Sequence, residues 1–224
     1  MTRLPPELPR DAISQPAAAC AAPASASPTT RGPRYTLRPG PETGPERAAL
    51  ERYVDAGFHR KHGARIRSFL PVLLELRDRA GRLCAVAGYR PAAAGRLFLE
   101  QYLDEPVEAA IARGAGLAVE RDAVVEVGNL SALNCRAARE LAARLPALLD
   151  GAGYRWLTFT GTRVIRELLE GFEAPMLDLG AADHARLSST DDDWGAYYES
   201  QPRVLAGYLP HGRALAAFAG SYDH

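Results

Sequence analysis

The stretch VVEVGNL, Val124–Leu130, decides the fold when it is read together with the amphipathic run at Cys135–Leu149 and with YRWLTFT at Tyr154–Thr160. VVEVGNL is Val-rich and short, the pattern of a buried strand. Ala138, Leu141, Ala142, Leu145, Leu148 and Leu149 then recur at helical spacing, with Pro146 as a potential kink. Tyr154–Thr160 reads as the next strand, Arg163–Gly171 as a helix and Met176–Leu179 as a further strand. Glu126 stands at the centre of the first strand. A buried ionised carboxylate is costly unless it is paired or hydrogen-bonded. The position is therefore read as a site of chemistry or of a specific polar contact, an ion pair to Arg90 or Arg121 being the structural alternative.

Upstream, Phe69–Arg77 and Leu83–Arg90 read as two strands joined by Asp78-Arg79-Ala80-Gly81, a hairpin with Gly81 free to take positive φ. Pro45–Gly63 reads as a helix, with Pro45 in its first turn and Gly63 at its stop. Arg34–Arg38 alternates like a short strand, and Pro106–Arg113 reads as a short helix. Trp194–Tyr198 and Val204–Tyr208 form an aromatic C-terminal region. Met1 to about Pro33 is rich in Ala, Pro, Ser and Thr, lacks an apolar periodicity, and is expected to be a disordered tail before a single domain over residues 34–224. A hairpin followed by strand, helix, strand, helix and strand indicates an α/β fold of the α+β type, a mixed sheet covered by helices on both faces.

Basic and acidic side chains number 27 each, which argues against a general nucleic-acid binder. Cys20, Cys84 and Cys135 are odd in number and widely spaced, against a disulfide framework or a zinc site. His59 and His62 lie three apart on the first helix without a third ligand, so no metal is expected there, and the pair reads as a solvated face. Asp191–Asp193 reads as a solvated loop. No run approaches the ~20 apolar residues of a spanning helix, and a cytoplasmic location is expected.

The order of elements resembles that of GNAT-like acyltransferases. FHRKHGARIRSFLPVLLELRD, VAGYRPA, LFLEQYLDEPVE, VVEVGNL, YRWLTFTGT and WGAYYESQPRV together resemble the thermostable hemolysin family, from about Tyr53 to Gly207. The family name records a haemolytic phenotype. A more distant resemblance is to acyl-homoserine-lactone synthases, whose pattern Asp78, Arg90 and Glu126 match; Asn129 stands where that pattern has an Arg. An Asn cannot supply the planar cationic fork that an Arg offers a carboxylate, which argues against a homoserine-lactone product. The glycines of the usual GNAT phosphate loop are also missing between Asn129 and Glu140. That departure favours the phosphopantetheine arm of an acyl carrier protein over free coenzyme A.

The resemblance implies acyl transfer from a carrier-protein or coenzyme A thioester to an amine or amino acid, with the thioester a co-substrate and no permanently bound cofactor. Glu126 is the expected base, with Glu100 as a second catalytic or acceptor-binding carboxylate, and Tyr197 or Tyr198 protonating the leaving sulfur. If Leu97–Glu108 is extended near Glu100, then Glu100 and Tyr102 share a face; an ion pair of Glu100 with Arg90 or Arg96 is the alternative. Arg90, Tyr102, Asn129 and Trp194 are expected to bind substrate, and Leu130, Ser131, Arg136 and Arg139 to bind the donor. Backbone N–H groups around Val127–Leu130 would form an oxyanion site if the strand splays, which Gly128 permits. The rival readings are a directly membrane-active haemolysin, for which Cys135–Leu149 is amphipathic enough, and an inactive GNAT-like binding protein.

Overall fold

The computed structural model describes residues 34–170, 176–188 and 192–210. The expected N-terminal tail with Cys20, the helix end at Gly171, and Asp191 lie outside the described residues. Seven strands form one sheet: β1 (Tyr35–Pro39), β2 (Val72–Asp78), β3 (Leu83–Pro91), β4 (Val124–Ala132), β5 (Trp156–Gly161), β6 (Met176–Ala181) and β7 (Arg203–Tyr208). Their order is β1-β2-β3-β4-β5-β7-β6. All neighbouring pairs run antiparallel except β4 and β5. The helices are α1 (Gly44–His62), α2 (Val107–Ala115), α3 (Cys135–Gly151) and α4 (Arg163–Glu170).

Local chemistry fixes these elements. Asp78 closes the β2–β3 hairpin by accepting from the backbone of Ala80 and Arg82, and Gly81 takes φ 76°. Gly63 ends α1 in the left-handed region at φ 67°. The Asn134 side chain caps α3 by accepting from Ala137 N at 2.9 Å. The strand expected from Phe69 begins only at Val72, because Ser68 and Leu70 are tied to the Asn129 side chain instead of to a neighbouring strand.

Alternation along the strands sorts the core. Leu74, Leu76, Ala85, Ala87, Val125 and Val127 pack under Leu141, Leu145 and Leu149 of α3. On the other face, Leu73 and Val86 meet Leu50 and Val54 of α1, while Val124, Trp156, Val204 and Ala206 meet Ala110 and Ile111 of α2. Glu126 shares the α1–α2 face with Val124 by the two-residue period.

The parallel junction is where the sheet opens. Its ladder runs from Val124↔Trp156 to Val127↔Phe159 and ends there. Against β3, the register passes from Gly88↔Gly128 to Val86↔Ser131, so β4 carries one extra residue. That residue lies in Asn129–Leu130, one position after the glycine expected to permit it. Asn129 adopts φ 49°, a conformation that Asn tolerates better than most side chains. The bulge bends β4 away from β5.

Helix α1 approaches the bulged strand closely. A Cβ on Gly57 would lie 1.9 Å from Ser131 Oγ and 2.9 Å from Ser131 Cβ. Gly57→Ala is therefore expected to lower stability by about 1–3 kcal/mol despite its better helix propensity, and Gly57→Ala/Ser131→Gly to recover most of the loss. Urea unfolding of the two variants checks this.

Candidate active site at the parting of β4 and β5

A cleft of about 700 Å³ threads the gap between β4 and β5. On the α1–α2 face its wall includes Phe58, His62, Phe98, Tyr102 and Glu126. On the α3 face Ala138, Leu141, Leu145, Ile165 and Leu169 line it, with Leu157 and Phe159 of β5. The second arm is almost wholly apolar. It lies where a parting sheet leaves space and where α3 and α4 present aliphatic side chains.

Glu126 is the buried carboxylate on the cleft wall, one residue before the β4–β5 ladder ends. It is 4% exposed and accepts from Phe98 N and Leu99 N, each at 2.9 Å. Burial pushes its carboxyl up to about 7, against the two backbone donors and the Arg90 charge that favour ionisation. The donors come from the 3-10 turn Phe98–Gln101, not from the extended segment expected there, so Glu100 and Tyr102 do not share a strand face. Neither expected ion pair forms the principal contact of Glu126; Arg90 stands opposite it across the β3–β4 ladder and lines the cleft.

Glu100 is absent from the cleft wall. Its carboxylate accepts from Leu97 N and Val107 N and from the Arg121 guanidinium at 2.7 and 3.0 Å. Burial would raise it, yet Arg121 and the two backbone donors outweigh that and hold it at about 2. Expected as a catalytic or acceptor-binding carboxylate, Glu100 lies off the cleft wall and braces the turn that supplies donors to Glu126. Arg121, expected as a partner of Glu126, serves Glu100 and Glu108 instead.

The aromatic residues gather beside Glu126. Trp194 lies 5.4 Å from Tyr197, 5.8 Å from Phe98 and 6.3 Å from Phe58, centroid to centroid. Tyr197 lines the cleft and donates to Thr160 O at 3.3 Å; burial raises its phenol. Tyr198 is not on the cleft wall. It is hydrogen-bonded to Tyr102 at 2.5 Å and stacked on His184, with its phenol pushed up to about 12 by burial. Of the two expected proton donors, only Tyr197 reaches the cleft, and its raised pKa makes it a poorer acid than an ordinary phenol.

Asn129 lines the cleft, but its amide is engaged: Oδ1 accepts from Leu70 N at 2.7 Å and Nδ2 donates to Ser68 O. It fastens the Ser68–Leu70 loop to the bulge with the amide that was expected to meet substrate. Leu130 and Ser131 do line the cleft, and Ser131 Oγ has no hydrogen-bond partner among the described residues. Arg136 and Arg139 are exposed on the first turns of α3 and are not on the cleft wall. Asp192 is not simply solvated: it accepts from Arg67 N and Ser68 N. His62, expected on a solvated face, packs 5.2 Å from Tyr197 and lines the cleft. Burial, then the Lys61 charge, lowers its imidazole pKa. The spacing of Phe58 and His62 at i, i+4 on α1 was the available signal for it. Among the described residues no three His, Cys, Asp or Glu side chains gather as metal ligands, and no helix is long and apolar enough to cross a membrane.

A mixed seven-stranded sheet that parts between its parallel strands β4 and β5, with helices on both faces, defines the GNAT-like fold shared by acyltransferases and acyl-homoserine-lactone synthases. The pattern of the thermostable hemolysin family matches residues 41–213, and the chain belongs to that family. Among solved structures it is similar to FeeM, an N-acyl amino acid synthase from uncultured soil microbes, with 19% identity, a TM-score of 0.56, and coverage of 84% of this chain and 99% of that one. It is also similar to TofI in a ternary complex with an inhibitor and MTA, at 15% identity and a TM-score of 0.55 over 82% of this chain and 96% of that one. The acyl-homoserine-lactone synthase LasI gives 10% identity and a TM-score of 0.51 over 80% and 91%. At these identities the likeness concerns the fold. No curated protein sequence matches the chain.

Proposed function

We propose that the protein is an N-acyltransferase that moves an acyl group, fatty in character, from the thioester of an acyl carrier protein or coenzyme A to an amine or amino acid. The observation that carries this reading is the Glu126 carboxyl. It is buried, has a pKa near 7, and lines an apolar cleft one residue before β4 and β5 part. A base with a pKa near the working pH is suited to take a proton from an attacking amine.

The steps follow from the chain's own groups. The acyl chain lies along Leu141, Leu145 and Phe159, which places its thioester near the gap. The amine enters from the side of Phe98 and Trp194, and Glu126 removes a proton as the nitrogen bonds to the thioester carbon. The oxygen of the tetrahedral intermediate carries the negative charge. The β5-facing side of β4 beyond Val127 has no ladder partner on β5, so backbone N–H groups there are candidates to bind that oxygen. When the C–S bond breaks, the proton held by Glu126 passes to the thiolate. Tyr197, neutral at any physiological pH and with its hydroxyl proton on Thr160 O, can offer the departing thiol only its phenolic oxygen as an acceptor and does not protonate it. Where the acceptor is an amino acid, Arg90, which lines the cleft, pairs with its carboxylate in this reading.

Amine-dependent release of thiol from fatty acyl thioesters tests the reading; no release with either donor type would exclude it. The apolar arm gives a second check. Ala138→Trp fills the cleft beneath α3 and is expected to lower kcat/KM for long acyl donors at least ten-fold while sparing short ones, measured across a donor chain-length series.

A further inference from the structure

Among the described residues, three large apolar side chains are strongly exposed, and two of them lie on or beside cleft-lining segments: Leu133 at 63% and Val164 at 55%. Leu133 precedes Asn134 and Cys135, which line the cleft at the start of α3; Val164 lines it at the start of α4. Basic side chains cluster in the same segments, with the acidic Asp192 also on the cleft wall. Arg60 and Lys61 line the cleft from the end of α1, and Arg136 and Arg139 are exposed on the first turns of α3. None of these four has a salt-bridge partner among the described residues. Arg163 adds a fifth charge, paired at 3.4 Å with an exposed Glu167. A protein with no net charge thus carries four cations without salt-bridge partners among the described residues, and two exposed aliphatic side chains, on or next to the segments that line an apolar cavity.

We propose that this rim docks the protein on an anionic lipid bilayer. The guanidinium and ammonium groups meet lipid headgroups, and Leu133 and Val164 enter the boundary between headgroups and acyl chains. The cleft then opens toward hydrocarbon, so an acylated product leaves into the bilayer without its chain crossing water. On α4 the exposed Val164 stands next to Ile165 of the apolar lining, and Leu133 stands at the head of the helix that supplies Ala138 and Leu141 to it. That continuity suits a lipid surface better than a wholly polar partner. The proposal rests on the reading of the cleft as an acyl site.

Co-sedimentation with vesicles tests it. The full chain is expected to sediment with vesicles of equal parts phosphatidylglycerol and phosphatidylcholine at low salt, and far less with phosphatidylcholine alone. Each neutralised cation weakens binding roughly five-fold, so Arg136→Gln/Arg139→Gln costs about 25-fold. Leu133→Ser/Val164→Ser weakens it as well, whereas Leu117→Ser, on the exposed residue after α2, changes nothing. Failure to sediment would overturn the proposal, as would binding indifferent to the rim substitutions. Capture of an acyl carrier protein by the same rim, with no vesicle binding, would overturn it in favour of a protein partner. Transfer of a short, water-soluble acyl thioester, assayed in the same preparation, separates the two levels: its presence without vesicle binding removes only the docking surface, and its absence removes the site reading beneath it.

Discussion

Glu126→Gln is expected to lower amine-dependent acyl transfer by 10²- to 10⁴-fold, the range associated with loss of a general base. The wild-type rate should climb with pH through about 7, because only the ionised carboxylate accepts a proton from the amine. The variant should lose that limb. The stability effect has the opposite direction. A carboxyl whose folded pKa is raised from about 4.5 to about 7 binds more protons folded than unfolded between those values. Stability supplied by Glu126 is therefore fully present below about pH 4.5 and is lost as pH rises to 7, by ~3 kcal/mol. Chemical unfolding between pH 4.5 and 8 should show this decline in the wild type and a flatter profile in Glu126→Gln. A Gln variant with unchanged transfer would assign Glu126 to holding the Phe98–Leu99 turn and nothing more.

Arg121→Ala should be the most damaging substitution to stability, at roughly 3–5 kcal/mol by urea unfolding. Arg121 donates to Glu100, Glu108, Ala92 O and Gly95 O, and its removal leaves the buried Glu100 carboxylate without its cation. In the wild type the depressed Glu100 pKa stabilises the fold above about pH 4.5, and this contribution is lost as pH falls toward 2. Without Arg121 the Glu100 carboxyl titrates higher, so acid unfolding should begin at higher pH. Transfer should weaken too, because Glu100 holds Leu97 N at the start of the turn whose next two N–H groups bind Glu126.

The order of strands and helices was legible because hydrophobic periodicity and turn chemistry are local. Gly81, Gly63 and the α3 pattern each announce their element within a few residues. Glu126 was legible for a related reason, since a carboxylate inside a Val-rich strand contradicts its surroundings. What escaped was long-range. That Arg121 pairs with Glu100 rather than Glu126 depends on how the 97–108 segment folds, which is into the 3-10 turn Phe98–Gln101. That Asn129 faces Leu70 across 59 residues has no mark in either segment. His62 looked solvated because Arg60 and Lys61 precede it directly and only Phe58, one turn earlier, is apolar; its other aromatic partner, Tyr197, arrives from 135 positions later in the chain, and their ring centroids lie 5.2 Å apart.

The central claim is that this cleft joins an acyl chain to an amine. The most direct measurement is mass-spectrometric detection of a new amide after incubation with fatty acyl carrier protein, and separately with fatty acyl-coenzyme A, in the presence of pooled amino acids and polyamines. The account predicts an amide with at least one donor, and its loss in Glu126→Gln. No amide with either donor, together with lysis of red cells by the bare protein, would contradict it.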